Sequence, residues 1–242
     1  MKLDALKQIR FALNKSYQKE KVLQADFDHF KYQLQIFIQN VDLSESEEHA
    51  KNNIKAFLND TFYKSKREIN TKGRTDLVIH TDKSTKSKVA VMIETKKPGI
   101  TAMPKPSNLN TKAFQQLILY YFQERKAGNL EIKHLIITDA YQWFIFEESQ
   151  FEKLFYQNNR LKQQFEAWEK SGKNTDVFYK NVAEPFLKDA TENIQGLFFD
   201  LKKDYVPLCQ KDNEPAKRKL MSLYKLFSLN HLLREYSYDS NH

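Results

Sequence analysis

Over the first forty positions apolar residues recur at three- and four-residue steps: Leu3, Leu6, Ile9 and Leu13, then Phe27, Phe30, Leu34 and Phe37. That period belongs to helices and predicts an all-helical segment over residues 1–40, packed on the core that follows. Asp42 and Ser44 stand where a helix cap belongs. The stretch SEEHAKNNIKAFLNDTFY then places Ala50, Ile54, Phe57, Leu58 and Phe62 on one face, predicting a helix over about 45–62.

The period changes at residue 75. Leu77, Val78 and Ile79, then Val89 to Ile93, are unbroken apolar runs on either side of the polar DKSTKSK. Such runs suit strands covered on both faces. TKAFQQLILYYFQERK reads as a helix with Phe114, Leu117, Ile118 and Tyr121 inward, and HLIITD and YQWFIFEE as two more strands meeting near Asp139 and Ala140. From 150 to 200 the helical period returns in FEKLFYQNNRLKQQFEAWEK and VFYKNVAEPFLKDA, and residues 201–242 read as a connector with a helix near 215–235. The order predicts an α/β fold: a mixed central sheet flanked by helices, its core in residues 41–200, with helical extensions at both ends.

Composition narrows the setting. The formal charge of +8 over 242 residues favours a polyanionic partner, because each Lys or Arg that displaces a condensed counterion adds affinity for nucleic acid. No apolar run approaches the ~20 residues that span a bilayer, so a membrane is not expected. Cys209 is the only cysteine, which excludes an intrachain disulfide and a cysteine-based zinc site and fits a reducing, cytoplasmic location.

The chemistry gathers where the two central strands meet. A turn centred on Thr85 sets Asp76 opposite Glu94, and strand alternation puts Glu94 and Lys96 on one face. Two carboxylates ~5 Å apart repel by about 3 kcal/mol at an effective dielectric near 20, so positive charge belongs between them. Lys96 supplies part of it. Mg²⁺ suits the remainder, since it takes one or two carboxylates together with water and phosphate oxygens. Asp76 and Glu94 as metal ligands, with Lys96 holding water and phosphate, form a set suited to phosphodiester hydrolysis.

Asp76 and Glu94-Thr95-Lys96 resemble the PD-(D/E)xK nuclease superfamily, in which an Asp and an (Asp/Glu)-x-Lys stand on adjacent strands. Thr75 takes the place of the Pro in the superfamily name. More closely, SEEHAKNNIKAFLNDTFY, GRTDLVIH, VAVMIETKKPG, LNTKAFQQLILYYFQER and HLIITDAYQWFIFEE, in that order, are similar to the N-terminal nuclease part of type IIG (Eco57I-like) restriction-modification enzymes. The similarity covers roughly residues 10 to 235. It implies a restriction-endonuclease-like fold and a Mg²⁺-dependent endonuclease cutting double-stranded DNA, with a dimer left open as the route to double-strand cleavage. It also implies methyltransferase and target-recognition domains in the same longer polypeptide. This chain has no Asn-Pro-Pro-Tyr motif and no Gly-rich cofactor loop, and its end at DSNH is expected to lead toward those domains.

Supporting residues follow. Glu47 precedes Ala50 and Ile54 by three and seven positions, which turns it to the apolar face of its helix, where a carboxylate needs a metal or a basic neighbour. Many superfamily members draw a further acidic ligand from this helix, so Glu47 is the third candidate, with Glu48 behind it. Lys112, Gln116 and Tyr120 form an i, i+4, i+8 stripe, and Gln116-x-x-x-Tyr120 is similar to a pattern of some exonuclease relatives. Lys97 is a further candidate for touching DNA, although alternation turns it away from Lys96. His80, His134 and Trp143 read as satisfied structural residues. The alternative to an enzyme is a catalytically inactive nuclease-fold module for DNA binding or assembly.

Overall fold

The computed structural model describes residues 1–100 and 102–235. Seven strands form one mixed sheet: β1 (Leu3–Ala5), β2 (Ile69–Lys72), β3 (Thr75–His80), β4 (Val89–Thr95), β5 (His134–Thr138), β6 (Gln142–Glu147) and β7 (Ile194–Asp200), in the order β1-β7-β6-β5-β4-β3-β2. β4 with β5 and β1 with β7 are parallel, and the other neighbours are antiparallel. The helices are α1 (Lys15–Lys19), α2 (Gln24–Gln39), α3 (Glu47–Leu58), α4 (Lys112–Lys126), α5 (Glu148–Phe151), α6 (Asn159–Lys170), α7 (Thr175–Phe178), α8 (Glu184–Asp189), α9 (Leu201–Asp204), α10 (Glu214–Phe227) and α11 (Leu229–Leu232).

Alternation along the central strands sends side chains into two separate cores. Leu77, Ile79, Val91 and Ile93 pack with α2, α3 and α10, whose Phe30, Phe57 and Phe227 share that layer. Val78, Met92, Leu135 and Phe144 face α4 and α6, against Phe114, Leu117 and Phe165. Central strands buried on both faces explain their continuous apolar sequence. The parallel step from β4 to β5 needs a crossover, which α4 supplies while covering the second core.

Several elements differ from the sequence expectation. Residues 1–40 are not wholly helical: Leu3–Ala5 is an edge strand paired with Ile194–Gly196. The helical pattern read through 150–200 ends at α8, and Ile194–Asp200 is a strand. Gly196 permits that join, since a Cβ there would lie 2.9 Å from the Ile145 carbonyl oxygen and 3.2 Å from the Leu3 side chain. β2 is a further strand that the pattern did not announce. The C-terminal helix expected near 215–235 is broken at Ser228 into α10 and α11, and residues 236–242 lie outside the described residues.

The two ends of the chain join the same core. Lys225, only 3% exposed, donates from Nζ to the carbonyls of Tyr17, Gln18 and Glu20 at 2.8, 2.9 and 2.7 Å. The Tyr63 hydroxyl donates to the Phe227 carbonyl at 2.7 Å. Among the described residues no helix is long and apolar enough to cross a membrane.

Candidate active site

β3 and β4 pair in the register that sets Leu77 against Ile93, Val78 against Met92 and Ile79 against Val91. One step further along, this register carries Asp76 to Glu94, at the end of the sheet where β4 finishes. A bulge beyond Ile79 shifts His80 against Val89, but it lies at the far end and leaves the Asp76 end undisturbed. Glu94 shares its face with Met92, the face covered by α4.

The three side chains have different surroundings. Asp76 is half-buried, and its Oδ2 accepts from both the Thr95 backbone N–H at 2.9 Å and the Thr95 hydroxyl at 3.0 Å. Glu94 is 1% exposed. Its Oε1 lies 2.6 Å from Lys96 Nζ, while its Oε2 is buried with no hydrogen-bond partner. Lys96 is also buried, and its Nζ donates to the Thr95 carbonyl at 2.9 Å and reaches Glu47 Oε1 at 3.4 Å. The Lys96 backbone N–H donates to the Thr138 carbonyl of β5 at 2.8 Å, which fixes the strand end carrying the ammonium.

Burial pushes the Glu94 carboxyl up to about 8, outweighing the neighbouring Lys96 charge, and Asp76 and Glu47 add to the rise. Burial works to lower Lys96, but Glu94, Glu47 and Asp76 together raise it above its ordinary value. The ammonium is therefore firmly charged, and Glu94 is a carboxyl whose ionised form needs more positive charge than Lys96 alone supplies.

The remaining candidates fall into two groups. Glu47 opens α3, whose cap is the Ser46 side chain, and meets the Lys96 ammonium, the basic neighbour its position requires. It is less buried than its apolar-face spacing suggests, with its side chain 44% exposed. On α4, Gln116 donates to the Tyr120 hydroxyl at 3.3 Å, and its Oε1 is buried without a partner. Tyr120 is 4% exposed rather than part of a solvated helix edge. Burial raises its hydroxyl pKa, and the Glu94 charge adds to that rise.

Others stand further out. Glu48 is exposed and pairs with Lys51. Lys112 is exposed, 3.5 Å from Asp176, with its ammonium over the Tyr179 ring. Lys97 turns away, its Nζ 3.4 Å from the Ser44 carbonyl. His80 is satisfied by the Ser87 carbonyl and Asn70, and Trp143 is fully buried, as their sequence context predicts. Sequence reasoning passed over Thr95, which holds Asp76, and Tyr179, whose hydroxyl pKa is raised by burial with the Glu94 charge adding to the rise. The pairing register was the signal for Thr95, since it brings that residue beside Asp76.

Among the described residues no three His, Cys, Asp or Glu side chains form a ready-made metal array. The reason is visible in the contacts: Lys96 joins Glu94 to Glu47, and Asp76 is turned to Thr95. Mg²⁺ nonetheless fits the donor set. It takes one or two carboxylates rather than a full protein cage, and the partnerless Glu94 Oε2 is a hard oxygen buried without a donor.

Fold and cluster together define an α/β protein with paired carboxylates and a buried lysine at one end of a mixed sheet. The chain belongs to the DUF7149 family, a domain of unknown function, whose family model matches residues 7–239. No curated protein and no solved structure matches it.

Proposed function

We propose that this chain is a Mg²⁺-dependent DNA endonuclease of the PD-(D/E)xK kind. On this reading it is the cleaving part of a restriction-modification system whose methyltransferase and target-recognition domains lie in the same longer polypeptide. The observation that carries the reading is the meeting of Asp76, Glu94 and Lys96 at one sheet end, with one buried Glu94 oxygen left without a donor. A carboxylate oxygen in that state is costly unless a cation shares it.

Asp76 and Glu94 would hold Mg²⁺, which when bound supplies Lewis-acid activation of a scissile phosphate and of an attacking water. Thr95 fixes Asp76 by two hydrogen bonds to Oδ2, so Oδ1 would be the oxygen left for the metal. Lys96, held by Glu94 and the Thr95 carbonyl, presents an ammonium that orients the nucleophile and offsets the charge gained by the phosphate. Glu47 sits beyond Lys96 and tunes its position. Gln116 and Tyr120, bonded to each other on α4, would serve as donors to a phosphate oxygen.

The test is nicking of supercoiled plasmid with Mg²⁺, comparing the wild-type chain with Asp76→Ala. Cleavage by the wild type that falls at least ~10²-fold in the variant and stops on chelation supports the proposal. Equal cleavage by both overturns it. No cleavage by either, with duplex DNA still bound, supports the inactive binding module instead.

A further inference from the structure

A second feature lies away from the carboxylate cluster. Residues Leu6–Arg10, the end of β7 and the first turns of α10 enclose a cleft of about 550 Å³, within the size range of sites for small molecules. Four cations line it: Lys7 and Arg10 from the N-terminal segment, Arg218 and Lys219 from α10. Among the described residues none of the four is ion-paired with a carboxylate. The cleft has one acid, Asp204, and its Oδ2 is already engaged by the Asp200 backbone N–H at 3.0 Å.

The backbone adds a donor. Along β7, Ile194 N–H bonds to the Lys2 carbonyl, the Gly196 carbonyl accepts from Leu6 N–H, and Asp200 N–H bonds to Asp204. Even-numbered residues thus turn their main-chain groups toward the outer edge, and Phe198 lies between them where β1 has already ended. By that alternation its N–H faces the outer edge, along which the cleft lies. Four cations, an edge-strand N–H and the aromatic side chains of Phe199 and Tyr205 are complementary to phosphate carried on an organic group.

We propose that this cleft binds phosphate groups, either of a free nucleotide or of a nucleic-acid backbone. The site stands independently of the nuclease reading, because binding is measured in EDTA, without cleavage. The probes are fluorescent ATP and a labelled 20-base-pair duplex, followed by polarisation over a salt series. The variants are Arg10→Glu with Arg218→Glu and, as a control of equal charge change on the other side of the sheet, Lys170→Glu with Lys173→Glu. All four positions are exposed, so each pair should fold. If the first pair misfolds, Lys7→Gln with Lys219→Gln replaces it, with a several-fold loss expected.

The expected result is salt-sensitive binding of at least one probe that drops at least tenfold in the cleft variant and stays within twofold in the control. Binding of ATP assigns a nucleotide, and binding of the duplex alone assigns the backbone. Failure of the wild type to bind either probe overturns the proposal. So does an equal loss in both variants, which would reflect net charge alone.

Discussion

Replacing Lys96 by Met is expected to lower Mg²⁺-dependent cleavage by ~10²–10³-fold while duplex binding stays close to that of the wild type. The ammonium is 6% exposed and held beside Glu94, so little solvent is at hand to supply a substitute charge. On the proposed mechanism its contribution belongs to the transition state, where charge builds on the phosphate, and the loss should appear in turnover rather than in affinity. Folding should survive, because Glu94 already rises to about 8 and takes a proton rather than stand as a bare buried anion. Single-turnover cleavage of plasmid, with the affinity measured separately, checks this. Cleavage within threefold of the wild type would remove Lys96 from the mechanism.

Acidification should destabilise the protein through two buried imidazoles. His134 on β5 and His231 on α11 lie with ring centroids 4.8 Å apart, and His134 Nδ1 is 2.9 Å from the Leu232 carbonyl. Burial holds His134 down to about 4, against the pull of that carbonyl and with help from the charge of Arg234. Burial, His134 and Arg234 hold His231 well below its ordinary value. Unfolding releases both rings to an ordinary value near 6.5, so below that pH the unfolded chain binds more protons.

The stabilisation is therefore present above about pH 6.5 and is lost as pH falls toward 4, by about 3 kcal/mol for His134 alone. Glu94 acts in the opposite sense, since its raised value favours the folded state at low pH and that benefit fades as pH rises from about 4.5 to 8. Comparing urea denaturation of the wild type and His134→Leu at pH 7.5 and 4 cancels this shared contribution. The expected outcome is a loss on acidification that is about 3 kcal/mol smaller in the variant. Parallel losses in both would show that His134 titrates normally.

The site was more legible in the sequence than the rest of the fold, for a physical reason. The hairpin register follows from where DKSTKSK can turn, and alternation then fixes the faces of Asp76, Glu94 and Lys96 without any long-range information. The edge strands carry no such signal. Leu3–Ala5 is too short to display a period, and its Leu3 also fits a helical series with Leu6 and Ile9. In β7 the apolar Leu197, Phe198 and Phe199 run together without alternation beside Gly196, because one strand faces both cores. Glu47 was placed by helical spacing, but that its neighbour is Lys96 is a tertiary fact. The part played by Thr95 was hidden by its place as the unspecified middle residue of Glu-x-Lys.

The grip of Lys225 on three carbonyls of residues 17–20 has a wider consequence. A segment from the beginning of the chain and one from its end are tied by this ammonium and by the Tyr17–Ser228 hydroxyl pair, in the layer that also buries one side of β3 and β4. Neither flank can peel off without stripping cover from the strands that carry the carboxylates, so what looks like two appendages behaves as one cooperative unit with the sheet end that holds them.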